Sequence, residues 1–259
     1  MTSVPSESKK EESPGHFSEL LKVESKLALR EPIGLGMGIG LPIILLVVFG
    51  LVGIANPGNV ANTSYTVLDL YVPVIMVIGF IGLGIEVLPV TLVKYREMGW
   101  LRRVSTTPEP PSRLLAAQLI LNLVLALATI LIVIFGSELI FGAQLAMSIP
   151  YFVLSVVLSI AVIFSLGLVV AALVPSQSVA TSISGALLFL LFFLSGLWLP
   201  PATVGGALAT IMYYSPSGAA VQALLYSVFN STPPYTSIVT MVVYTAIFAF
   251  IANRYFRWE

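Results

Sequence analysis

The side chains able to do chemistry are few in this sequence, and most stand where catalysis could not use them. The one histidine, His16, lies in a polar N-terminal stretch, the one aspartate is Asp69, and there is no cysteine. A Ser–His arrangement, thiolate chemistry and a pair of aspartates are therefore excluded from the apolar part of the chain. There is no metal-ligand cluster and no Gly-x-x-x-x-Gly-Lys-Ser/Thr phosphate loop. No catalytic residue and no metal site is assigned, and the chain is not expected to be an enzyme by itself. Two acids remain in apolar surroundings: Asp69, and Glu86 within GLGIEVLP. An ionisable group inside a bilayer is costly and is by default a functional candidate, here for proton coupling or cargo contact. The plainer reading has Glu86 reaching water or a polar group on a neighbouring helix.

The elements that must position these acids follow from composition. The chain is 58% hydrophobic and 9% charged, with a mean hydropathy of +1.00. Soluble domains are roughly 45–50% apolar and about 25% charged, so this chain cannot cover a water-facing surface. Six apolar runs, at 33–55, 67–93, 114–135, 148–174, 179–199 and 237–252, are candidate spans. They are apolar on every face, which favours helices over a membrane barrel.

Lys and Arg occur in three places only: the N-terminal stretch, the segment after the second run, and the C-terminus. Six spans put all three on one side, and the positive-inside rule makes that side the cytoplasm. Residues 200–235 are apolar but broken at Tyr213-Tyr214-Ser215-Pro216, and each half is too short to span. They are expected to form an outer re-entrant pair. Glu138 is expected in the short outer loop after the third span. At the other end, residues 1–16 have a disordered composition. Residues 17–31 carry Phe17, Leu20, Leu21 and Leu27 among charges, as an interfacial helix stopped by Pro32 would. The glycines of GLGMGIG (Gly34, Gly36, Gly38 and Gly40) form overlapping small-xxx-small pairs suited to close helix packing. The fold class is thus an all-α membrane protein with six transmembrane helices over 32–259. Both termini are expected in the cytoplasm of a multi-pass cell-membrane protein.

The segment 94–113, KYREMGWLRRVSTTPEPPSR, concentrates five basic residues in an otherwise apolar chain. Its first part can be a helix with Tyr95, Met98 and Leu101 on one edge. Such a helix could enter a groove on a protein partner or touch anionic lipid, and its composition leaves both open. The segment resembles the loop after the second span in permeases of the type-2 ABC exporter family, roughly E-x-G-T-L-x-R-L-x-x-T-P. Here it reads Glu97, Gly99, Trp100, Leu101, Arg102, Arg103, then Thr107-Pro108, with Trp100 where the family usually has Thr. Arg30-Glu31-Pro32, Asp69-x-x-x-Pro73, Ser195-Gly196-x-x-x-Pro200 and Tyr214-Ser215-Pro216 are similar to further family positions in the same order.

That resemblance implies a permease subunit working as a dimer, homo- or heteromeric, with a separate ATPase subunit docked beneath. ATP and Mg would be held by that partner and no cofactor by this chain. Glu97, Arg102 and Arg103 would make polar docking contacts, with Trp100 and Leu101 as apolar anchors. Neither nucleic acid nor a large outer partner is implied. Glu86, Ser182, Phe189 and Phe193 are candidates for the translocation path, and an amphipathic drug-like or lipid-like cargo would suit them. Helix packing and an interfacial aromatic belt explain the fifth span's residues equally simply. Alternatives are an ion-coupled secondary transporter or channel using Glu86 and Asp69, or a membrane scaffold whose basic loop recruits a cytoplasmic protein.

Overall fold

Proline, glycine and a few short polar side chains decide where the helices of this chain begin, bend and stop. The computed structural model describes residues 15–28, 30–55, 65–98, 112–229 and 231–256, and these form helices without a strand. Helix α1 (Gly15–Ala28) ends just before Pro32, which opens α2 (Pro32–Ala55) at a position where its missing N–H costs nothing. Helix α3 (Val67–Glu97) starts at a capping box: the Thr66 hydroxyl accepts from the Asp69 N–H, and the Thr66 N–H donates to Asp69 Oδ2 at 2.8 Å. Next come α4 (Ser112–Phe141), α5 (Ile149–Leu173) and α6 (Gln177–Leu194). A single turn α7 (Pro201–Val204) precedes α8 (Gly206–Tyr214), α9 (Pro216–Val228) and α10 (Tyr235–Tyr255). Among the described residues six helices, α2, α3, α4, α5, α6 and α10, are long and apolar enough to cross a membrane. The break at Ser215 falls between α8 and α9, both too short to span.

Several boundaries differ from expectation: α6 stops at Leu194 rather than 199, α3 runs on to Glu97, and the end of α4 moves an acid out of its expected loop. Helix α4 continues to Phe141, so Glu138 sits in its final turn and not in a loop. Nothing in Ser137–Phe141 breaks a helix; the stop comes at Gly142, whose φ of 70° lets the chain turn back. The Glu138 and Ser137 carbonyls then accept from the N–H groups of Gly142 and Ala143.

Helix α3 is the axis of the bundle. In its most apolar stretch 78% of residues are buried, against 17% in α10. Ile75, Met76, Val77, Ile78, Phe80, Ile81 and Leu83 are all out of contact with the surroundings. Such density in a chain read as lipid-embedded requires close backbones, since lipid supplies no hydrophobic push between helices. Glycine provides them. A Cβ on Gly38 of α2 would run into Leu83, and one on Gly82 of α3 would lie 2.6 Å from the Met37 carbonyl. Gly34 faces Val87, whereas Gly36 meets nothing and Gly40 only its own helix. The small-residue seam of α2 therefore uses Gly34 and Gly38, and it packs against α3 of the same chain.

Both helices widen into π-turns at this seam, over Gly36–Gly40 and Gly82–Val87. The cause lies two residues further on. Pro42 and Pro89 lack the N–H that Gly38 and Ile85 would use in an α-helix, and a proline ring crowds the carbonyl four residues back. The Leu41 N–H reaches Gly36, the Leu88 N–H reaches Leu83, and Thr129 of α4 donates to the Gly38 carbonyl at 2.7 Å. A side chain thus restores what proline removed. On its other side the π-turn of α3 meets Gly167 of α5, where a Cβ would collide with the Gly84 carbonyl.

Gly167→Val is therefore expected to destabilise the bundle by about 1–3 kcal/mol through overpacking. In detergent it should lower the apparent melting temperature by several degrees. Gly185→Ala, inside α6 at a position with nothing within 4 Å, should leave it unchanged or raise it slightly.

Candidate functional site

Four consecutive residues end α3: Lys94, Tyr95, Arg96 and Glu97. Successive residues on an α-helix are separated by roughly 100°, so four in a row face all around the axis. Because α3 is central, each meets a different neighbour. Lys94 Nζ pairs with Glu31 Oε1 at the entry to α2, at 3.2 Å. The Tyr95 hydroxyl donates to Glu24 Oε2 on α1 at 2.9 Å. Arg96 donates to the Ala171 carbonyl at 3.0 Å and to that of Val174, at the end of α5. Glu97 Oε2 accepts from the Gln177 N–H at the start of α6, at 2.9 Å. The last two contacts follow helix polarity: a guanidinium belongs at a C-terminus with unpaired carbonyls, and a carboxylate at an N-terminus.

These contacts differ in weight. Lys94 and Glu31 are 38% and 44% exposed, and such a pair contributes at most about 1 kcal/mol. Glu24 is only 2% exposed and also accepts from Gln118 Nε2 of α4 at 2.6 Å. Burial pushes its carboxyl above the usual carboxylate range, the hydrogen bonds from Tyr95 and Gln118 pull it back in part, and nearby Glu31 adds to the rise. Removing a donor from so buried an acid costs about 1–3 kcal/mol, so this cluster is the stronger tie.

Farther along α3 a cleft of about 230 Å³ opens between three elements. Its walls are Ile33 and Gly34 of α2, Glu86, Val87 and Val90 of α3, and Gln177 and Thr181 of α6. Glu86 sits in the π-turn, and its Oε2 is buried without a hydrogen-bond partner. Lys94 also borders the cleft, committed to Glu31. At the far end of the bundle a second cavity, about 440 Å³, lies beneath α8 and α9 among Tyr71, Ser195, Tyr213, Gln222, Tyr226 and Phe229.

Of the residues singled out from sequence, Glu97 stands in the four-way junction and Glu86 in the cleft. Gly99, Trp100, Leu101, Arg102, Arg103, Thr107 and Pro108 lie outside the described residues. Ser182 and Phe189 are on the exposed face of α6, where Ser182 Oγ donates to the Ser178 carbonyl and Phe189 stacks on Trp198 at 6.5 Å. Phe193 is half-buried. Within one chain the structure brings Glu86 beside Thr181 and not beside Ser182 or Phe189. Asp69 is spent on structure: Oδ2 closes the capping box, and Oδ1 accepts from the Gln144 N–H at 3.1 Å. Sequence reasoning missed Glu24, Gln118 and Arg96. Only Arg96 had a signal, as the first Arg after a span that ends in the basic segment.

A sequence profile described as ABC-2 type transporter matches residues 15–229, which covers most of the chain. No curated protein matches it.

Because burial raises Glu24 in the folded state, its protonated form favours the docked α1. That stabilisation is fully present below the ordinary value of 4.5 and is lost as pH rises through the raised folded value. Melting temperature should therefore climb as pH is lowered from neutral toward 4.5, and Glu24→Gln should flatten that part of the curve. Tyr95→Phe should cost about 1–3 kcal/mol at neutral pH.

Proposed function

We propose, because this chain belongs to the ABC-2 type transporter family, that it is the permease subunit of an ATP-driven exporter whose ATPase is a separate chain. The family supports a multi-pass membrane permease. The observation that carries the finer reading is the junction at Lys94–Glu97. It immediately precedes the basic segment 99–111, so a force on that segment reaches α3 at one end and α4 at the other, and passes from α3 to α1, α2, α5 and α6 through side-chain contacts. Closure of the ATPase, which holds ATP and Mg, turns or lifts the base of α3. The junction converts that movement into a shared movement of the helices it ties together.

In this reading the basic end faces the cytoplasm of a cell membrane, and α8 and α9 re-enter from the opposite side. A second permease copy, identical or homologous, closes the path over the exposed face of α6 that carries Ser182 and Phe189. An amphipathic cargo enters beside Glu86 and leaves past the aromatic cavity under α8 and α9. Ion-coupled transport is the weaker reading, since Asp69 is occupied by its own helix cap and only Glu86 remains for coupling.

Purification from native membranes in mild detergent should bring an ATPase subunit with the chain. Arg102→Ala combined with Arg103→Ala should lose it, while Arg96→Ala should retain it but transport less cargo per ATP hydrolysed. If no ATPase is recovered even after cross-linking in intact membranes, the permease reading fails. A ratio unchanged by Arg96→Ala would remove the junction from the mechanism.

A further inference from the structure

The Glu86 cleft has features that the permease reading leaves unexplained. Its floor is a carboxylate with one oxygen buried and unpartnered, whereas nearly all buried polar groups find a hydrogen-bond partner. The π-turn that carries Glu86 is a local widening, of a kind found often at functional sites. The charged residues bordering the cleft are two acids, Glu31 and Glu86, and one base, Lys94. Lys94 already pairs with Glu31, so no base bordering the cleft is left over for the Glu86 carboxyl. Beside it, Val87, Val90 and Ile33 offer apolar wall, and Ile33 is 68% exposed at the rim. Thr91 and Thr181 supply hydroxyls on opposite sides. The far cavity adds tyrosine and phenylalanine faces, which attract cations. No Lys or Arg occurs between Arg113 and Arg254 to repel one.

From this geometry we infer that Glu86 recognises a positively charged headgroup, and that the chain's cargo is a cationic amphiphile whose apolar body lies along Ile33, Val87 and Val90. The ammonium or related cation donates to the Glu86 carboxylate where it lines the cleft. This rests on the permease reading for its role in transport, but recognition itself requires neither ATP nor the ATPase.

The test uses the full chain in nanodiscs of zwitterionic lipid, so that the bilayer surface does not itself concentrate cations. Three fluorescent probes share one dansyl group and alkyl chain and differ only at the end: dansylcadaverine with its ammonium, the N-acetyl derivative, and the carboxylate analogue. Dansylcadaverine should bind roughly ten- to a hundredfold more tightly than the acetylated probe, as expected for a charge-assisted contact. The carboxylate should bind most weakly. Glu86→Gln should bring the ammonium and acetylated probes to equal affinity, and Glu86→Asp should keep the preference, which separates lost charge from misfolding. Equal binding of the three probes, or a preference that survives Glu86→Gln, would overturn the inference. So would an absence of probe binding by a chain that still co-purifies with its ATPase, and in that case the permease reading would stand.

Discussion

The structure depends on a single helix having a neighbour on every side. A helix on the outside of a bundle can leave charged residues facing water or lipid headgroups, but the apolar length of α3 is buried on nearly every side. The four polar residues at its end, with Lys94 partly and Glu97 fully at the surface, each take a partner in a different direction. Two of those partners are helix termini, which carry unpaired carbonyls or N–H groups wherever they occur. The junction is thus the cheapest way to end a buried helix, and it also fastens the base of α3 to α1, α2, α5 and α6. The contacts proposed to transmit movement are the ones that satisfy hydrogen bonds at the end of α3.

The same helix is weakened where it needs to be. Pro73 and Pro89 remove N–H groups from α3, and Pro42 removes one from α2 beside it. The resulting π-turns face each other across a glycine seam, and Thr129 repairs the carbonyl that Pro42 leaves open. Glu86 rides on one of these turns. Backbone that has already given up regular bonding changes register more readily than an intact α-helix. The cleft therefore has irregular backbone on its α3 side, two turns before the junction at the helix end.

Much of the fold could be read from the chain because lipid imposes simple rules. Run length and the clustering of Lys and Arg in three places were enough to place six spans, and the break at Ser215 marked a pair of helices too short to cross. Glu138 was misplaced because a helix can outlast its apolar run when no residue stops it, and the stop at Gly142 is a matter of backbone conformation. The site was less legible. Glu24 stands among Lys22, Ser25 and Lys26, where an acid reads as solvated; its burial comes from Tyr95 and Gln118, 71 and 94 residues away in sequence. Glu86 was visible as an acid in an apolar run, but its unpartnered oxygen depends on how α2 and α6 close around it. Of GLGMGIG, periodicity could say that pairs share a face and could not say which pair meets α3.

The most direct test of the account is a distance measured during the nucleotide cycle. The chain has no cysteine, so Lys26→Cys on α1 and Ser178→Cys on α6 can carry spin labels without background. Both sites are exposed and near the four-way junction. The labelled chain, diluted with unlabelled copies and assembled with its ATPase, would be examined by pulsed electron resonance with and without trapped ATP. The account predicts that the separation shifts when ATP is trapped, and that the shift disappears when Arg96→Ala and Glu97→Ala sever the ties to α5 and α6. A separation that ignores nucleotide, or a shift that persists without those ties, would contradict it.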